Sequence, residues 1–140
     1  MVMVKFKKLH PDAIPFSYTR DNDACMDMFA LIDEHIIPGD TKIIPTGITV
    51  EIPKGYEGIV RGRSGFTSRG FLVHTGTIDE EYRGDIGIII TNLSNVSLRI
   101  EKGTRLSQFT IKPVYKIKLI EQLELSNTNR GSNGYGSSGI

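Results

Sequence analysis

Apolar and polar positions alternate with a period of two along most of the chain, and this rhythm predicts strands. In "NVSLRIEKG", Val96, Leu98 and Ile100 alternate with Ser97, Arg99 and Glu101 ahead of a Lys-Gly turn, the signature of a strand with one buried face. "TKIIPTGITVEIPKGYEGIV" is rich in β-branched residues and broken by Pro45, Pro53 and several glycines, which predicts short strands at close intervals. In "YKIKLIEQLEL" the alternation of Ile117 and Leu119 with Lys116 and Lys118 favours a strand over a short helix. No stretch carries a helical apolar stripe over ten or more residues. Many short strands separated by Gly and Pro turns predict an all-β sandwich, barrel or jelly roll.

The rhythm stops near residue 126. The last twelve residues, "NRGSNGYGSSGI", contain four Gly, three Ser and two Asn, a composition that loses much backbone entropy on ordering and buries little apolar area in return. Residues 1–125 are therefore expected to form one β body and residues 126–140 a flexible Gly/Ser-rich C-terminal arm. A length of 140 residues with 39% hydrophobic content suits a single core without covalent staples.

Composition narrows the function. The apolar run "IGIIIT", Ile86–Thr91, is far shorter than the roughly 20 residues that span a bilayer, and the charges in "MVMVKFKK" do not suit a signal peptide. The expectation is a soluble protein that stays where it is made, with no membrane partner. Cys25 is the single cysteine, so no intrachain disulfide forms and a reducing, cytoplasmic setting is expected. His10, His35, His74 and Cys25 show no zinc-ligand spacing, which leaves a hard, oxygen-bound cation as the metal to expect. Structural roles are expected for Cys25, by burial, and for His74, in a solvated loop. A formal net charge of +1 lacks the broad basic field that polymeric nucleic acid requires, whereas a small anion held by a few arginines fits.

Four stretches carry candidate chemistry. In "GTIDEEYRGDIGIII", Gly76–Ile90, an acidic segment around Tyr82 and Arg83 reads either as a solvated hairpin loop or as a site. For the second reading, Asp79 beside Ile78 is partly shielded and acts as a base toward water, while Gly76 and Gly87 leave backbone groups open to a planar ligand. "GRSGFTSRG", Gly62–Gly70, reads either as a plain surface loop or as an anion site in which Arg63 supplies a fork of donors, Ser64 a hydroxyl, and Gly65 a close approach. In "GTRLSQFTI", strict alternation puts Gln108 on the face of Leu106 and Thr110, where its amide needs either a ligand or a side-chain to backbone bond. In "NDACMDMF", Asp27 is either a solvent-facing strand residue or a carboxylate that holds Mg²⁺ through water.

Taken in order, these pieces resemble the five motifs of the homotrimeric deoxyuridine triphosphatases (dUTPases): "ACMDM", "RSG", "GTIDEEYRG", "GTRLSQ" and "RGSNGYGSSG", spanning residues 24–139. The resemblance implies a distorted jelly roll, a homotrimer, and active sites shared between subunits. It implies that Arg63, Ser64, Gly65 and Gln108 contact phosphates, and that Gly76, Thr77, Ile78, Tyr82 and Gly87 form the uracil and deoxyribose pocket. It further implies that the arm of another chain brings Arg130 to the terminal phosphate, wraps the triphosphate with Gly136, Ser137 and Ser138, and stacks Tyr135 on the uracil. Where the family usually has Gly, Leu, Phe and Thr, this chain has Cys25, Met28, Tyr135 and Ser138.

The implied reaction is hydrolysis of dUTP to dUMP and pyrophosphate, with Asp79 activating water at the α-phosphorus and Mg²⁺, bridged by water to Asp27, sharing the phosphate charge. Such an enzyme keeps dUTP low and supplies dUMP for dTMP synthesis. Two alternatives stand beside it. A dCTP deaminase on the same fold needs a glutamate ten residues beyond the aspartate, where this chain has Ile89. A trimeric β module would instead bind a regulatory protein partner, alone or alongside catalysis.

Overall fold

In the computed structural model, which describes residues 1–138, the expected strands form wherever a paired neighbour exists. They are β1 (Lys5–Lys8), β2 (Met26–Phe29), β3 (Glu34–Ile36), β4 (Thr41–Ile44), β5 (Ile48–Glu51), β6 (Tyr56–Gly62), β7 (Phe71–Val73), β8 (Gly76–Ile78), β9 (Ile88–Asn92), β10 (Leu98–Ile100) and β11 (Arg105–Pro113), with a single helical turn, α1 (Ser64–Thr67). A four-stranded sheet runs β2-β11-β6-β8 and a three-stranded sheet runs β4-β9-β7, flanked by the pairs β1-β5 and β3-β10. Every one of these pairings is antiparallel. Strands distant in sequence lie side by side, β2 against β11 and β4 against β9, and the result is a distorted jelly roll.

The two-residue period explains the core. Ile88 and Ile90 of β9 are fully buried while Ile89 between them is exposed, and Leu98 and Ile100 of β10 bracket exposed Arg99 in the same way. With Met28, Ile36, Ile44, Ile48, Phe71, Ile86 and Leu106 these residues fill the interior. Asn92, the polar exception, is fully buried at the end of β9. Its amide donates to the carbonyls of Ile36 (2.9 Å) and Val96 (2.8 Å) and its Oδ1 accepts from the Ser94 backbone N–H (3.0 Å), so burial leaves no group unpaired.

Two sequence expectations change. β10 begins at Leu98, leaving Val96 exposed in the turn whose carbonyl Asn92 and Ser94 hold. The expected strand in "YKIKLIEQLEL" does not form, since β11 ends at Pro113 and residues 114–125 have no strand pairing. A strand needs a partner for its backbone groups, and none lies beside this segment among the described residues. Its apolar positions stand in solvent, Ile117 at 80% and Leu119 at 87% exposure. Among the described residues, no helix is long and apolar enough to cross a membrane.

Candidate active site

The sequence predicts a hairpin around the third motif; the structure splays it. β7 and β9 pair as far as Val73 and Ile90, with one more rung from the His74 N–H to the Ile89 carbonyl at 2.9 Å. Beyond that rung the two arms part. β8 joins β6, Gly76 opposite Val60 and Ile78 opposite Gly58, while the returning arm is held to β5 by the Ile86 N–H on the Ile48 carbonyl at 2.9 Å. Gly58 on β6 leaves space for both neighbouring strands: a Cβ there would stand 3.0 Å from the Ile78 Cβ of β8 and 2.9 Å from the Phe109 ring of β11.

Between the parted arms is a cavity of about 410 Å³. Asp79 lines it together with Gly76, Thr77, Ile78, Tyr82 and Gly87, over an apolar floor that includes Ile43, Pro45, Val60 and Ile89. Hydrogen bonds fix its mouth. The Asp85 carboxylate accepts from the N–H groups of Thr46 (3.0 Å) and Gly47 (2.8 Å) and from the Thr46 hydroxyl (3.2 Å). Gly47 has φ +69°, and a Cβ there would meet that of Ala13 at 2.9 Å, so the position accepts only glycine. The Tyr82 hydroxyl donates to the Asp85 carbonyl at 2.9 Å, and the Tyr82 ring lies so close over Gly84 that any side chain there would collide with it. The phenol is thereby held against the cavity wall.

Asp79 differs from expectation. It is exposed rather than shielded, because β8 ends at Ile78 and Asp79 opens the turn in which the Tyr82 N–H returns to the Asp79 carbonyl at 3.1 Å. Its carboxylate is at the cavity rim, next to solvent.

A second cavity, about 340 Å³, collects Arg63, Ser64, Gly65 and Gln108, together with Phe66 and Arg69. In α1 the Phe66 and Thr67 N–H groups donate to the Arg63 carbonyl at 3.0 and 3.1 Å, so only the leading amides of Ser64 and Gly65 lack an intrahelical acceptor, and Arg63 at the N-cap position supplies no side-chain cap. A Cβ at Gly65 would meet nothing of the chain within 4 Å, so internal packing does not require glycine here. Strict alternation fails in β11: the register against β2 shifts between Arg105 and Ser107, as at a β-bulge. Leu106 and Ser107 are both fully buried in consequence, while Gln108 faces the cavity half-exposed.

Asp27 is a buried residue, 5% exposed, which overturns the solvent-facing reading. Its Oδ1 is 3.5 Å from Arg63 Nε, its Oδ2 is 3.5 Å from Arg105 Nη1, and the Thr19 hydroxyl donates to Oδ2 at 2.6 Å. Arg63 Nη1 also donates to the Arg105 carbonyl at 2.9 Å. One carboxylate thus faces two guanidinium groups. Among the described residues, no three His, Cys, Asp or Glu side chains converge as a metal site. This donor set does not suit a cation bound by the protein alone; its one carboxylate suits only an ion that keeps most of its water.

The two cavities share no lining residue. Arg130, Tyr135, Gly136, Ser137 and Ser138 line neither. Their segment makes local turns, such as the Asn133 N–H on the Arg130 carbonyl at 3.2 Å, with Tyr135 at φ 51° and fully exposed. Gly139, the last residue of the fifth motif, and Ile140 lie outside the described residues.

Sequence reasoning missed several residues. Ile43, Pro45, Val60 and Ile89 reach the first cavity through pairings between distant segments, which no local pattern reveals. His74 is exposed and outside the strands, as expected, and it also lines that cavity, with its Nε2 2.7 Å from Thr91 Oγ1. Cys25 is half-buried, not buried. Arg69 and Arg105 carried a readable signal, a cation within or beside a motif.

A family model described as dUTPase matches residues 12–139. Deoxyuridine 5'-triphosphate nucleotidohydrolases of Clostridioides difficile and Alkaliphilus metalliredigens (strain QYMF) are 42% and 40% identical, covering all of this chain and 100% and 99% of theirs. The structure of the Staphylococcus bacteriophage 80alpha dUTPase with dUPNHPP covers both chains fully at 30% identity and a TM-score of 0.93; it is described as controlling transfer of virulence genes. A mutant dUTPase from phage phi11 of S. aureus, described in terms of a structural Mg(II) ion, aligns over 88% of this chain and 98% of its own, at 25% identity and a TM-score of 0.82.

Proposed function

Because the chain belongs to the dUTPase family, whose members hydrolyse dUTP, we propose that it cleaves dUTP to dUMP and pyrophosphate with Asp79 as the base. Water attacks the α-phosphorus in line; the new P–O bond forms as the bond from the α-phosphorus to the bridging oxygen of the β-phosphate breaks. Asp79 takes the proton and pyrophosphate departs. The observation that carries this reading is the gathering of Asp79, Tyr82 and the open backbone of Gly76–Ile78 around one cavity, with phosphate donors gathered in another.

Discrimination follows from fixed geometry. The Tyr82 ring, held by its bond to Asp85, lies under the deoxyribose and leaves no space for a 2′-hydroxyl. Backbone groups of Gly76–Ile78 and Gly87 pair with the uracil edge and are left unpaired by cytosine, a mismatch that costs several kcal/mol. Ile89, at the position where a deaminase needs glutamate, forms part of the apolar floor, so a cytosine amino group finds no base for its displacement.

The triphosphate carries about four negative charges, spread over Arg63, Ser64, Gln108 and Arg130. Mg²⁺, when bound, neutralises phosphate charge; Asp27 would hold it through water.

We read the assembly as a homotrimer. The separation of the two cavities within one chain, the outward course of the C-terminal segment and the exposed Ile117 and Leu119 all support a site completed between copies. In that assembly, residues 126–140 act as an arm that brings Arg130, Tyr135 and Gly136–Ser138 to a neighbour's nucleotide. A regulatory protein partner is a second reading, supported by the description of the 80alpha relative.

Pyrophosphate release from dUTP, dCTP and dTTP, each with and without EDTA, tests the proposal. It predicts release from dUTP alone, strongly reduced by EDTA. Ammonia from dCTP, or no release from dUTP, overturns it.

A further inference from the structure

Arg69 sits just after α1, outside the five motifs, and lines the same cavity as Arg63, Ser64 and Gln108. Its position is built. The Arg69 N–H donates to the Phe66 carbonyl at 3.0 Å, and Gly70, at φ +84°, turns the chain into β7. The guanidinium carbon stands 5.4 Å from the centroid of the Phe71 ring. Phe71 is itself buried and packed on Phe66 with centroids 6.1 Å apart. A guanidinium resting on a ring keeps its N–H donors at its edges, available to an anion.

The charge balance distinguishes Arg69 from its neighbours. Arg63 and Arg105 share the single carboxylate of Asp27. Arg69 forms no ion pair among the described residues, so its positive charge is the one in this cavity that no carboxylate offsets. A group carrying several negative charges therefore gains most from Arg69.

We propose that Arg69 is a further phosphate-binding residue, contacting the β- and γ-phosphates that leave as pyrophosphate. This rests on the reading of dUTP as substrate. Arg69 contributes little to a monophosphate in the nucleoside cavity, because the two cavities have no residue in common.

The test is calorimetric titration of wild type, Arg69→Gln and Arg69→Lys with α,β-imido-dUTP and with dUMP, both with Mg²⁺, alongside steady-state dUTP hydrolysis. A charge-assisted contact predicts that Arg69→Gln weakens the imido analogue about tenfold or more and raises KM by a similar factor. Affinity for dUMP and the melting temperature should stay unchanged, and Arg69→Lys should recover part of the loss. Equal weakening of both ligands, or no weakening of the imido analogue, overturns the assignment. Wild type that binds the analogue but hydrolyses no dUTP overturns the enzymatic reading instead.

Discussion

Asp27 Oδ1 on β2 faces Arg63 Nε at 3.5 Å, joining the first motif to the second where β6 runs into α1. The arginine lines the second cavity, and a second guanidinium, that of Arg105, approaches the other carboxylate oxygen. Asp27→Asn removes the negative charge and leaves two cations adjoining. Since both arginines retain solvent contact, the loss of stability should be about 1–3 kcal/mol rather than the larger figure for a fully buried pair. Denaturant unfolding checks the first number, and a raised KM for dUTP checks the second consequence. Unchanged stability would mean that Asp27 organises neither arginine.

Asp85 accepts two backbone N–H groups and one hydroxyl from Thr46 and Gly47. Asn in its place offers one acceptor oxygen and turns its NH₂ toward a donor. Asp85→Asn should cost about 1–3 kcal/mol and raise KM by loosening the cavity mouth, read by thermal melting and steady-state kinetics.

Gly87 adjoins Ile43, and an added Cβ would stand 2.8 Å from Ile43 Cγ2. Gly87→Ala should push Ile43 into the nucleoside cavity, destabilise the fold by about 1–3 kcal/mol and weaken dUMP binding. Melting and dUMP titration check both effects.

Two surface carboxylates link stability to pH. The hydrogen bond from Lys102 lowers the pKa of Asp12, and those from Lys42 and the His35 N–H lower that of Glu34. A carboxyl lowered by folding contributes stability above its unfolded pKa, about 4, and loses it as pH falls through the folded value. Both pairs are accessible to solvent, so the contribution is small and salt-screened. Glu34→Gln should flatten the acid limb of the stability curve without altering stability differences between pH 7 and 8.

The residues whose chemistry demands a particular type were legible in the chain. Tyr82, Gly76 and Gly87 were read from one stretch and meet at one cavity; Arg63, Ser64 and Gly65 were read from another and meet at the second. What stayed hidden depends on pairing between distant segments. Val60 reaches the first cavity because β6 pairs β8, and Ile43 because β4 pairs β9. The bulge beside Ser107 reversed the alternation used to place Gln108. "YKIKLIEQLEL" has a strand's rhythm, but rhythm cannot supply a partner, and none lies among the described residues.

The role of Asp79 is tested most directly by Asp79→Asn, comparing single-turnover dUTP hydrolysis with binding of α,β-imido-dUTP. Loss of the base predicts a fall in the hydrolytic rate of about 10²–10⁴-fold with analogue affinity kept within a few-fold. Hydrolysis at the wild-type rate with the analogue still bound would contradict the account.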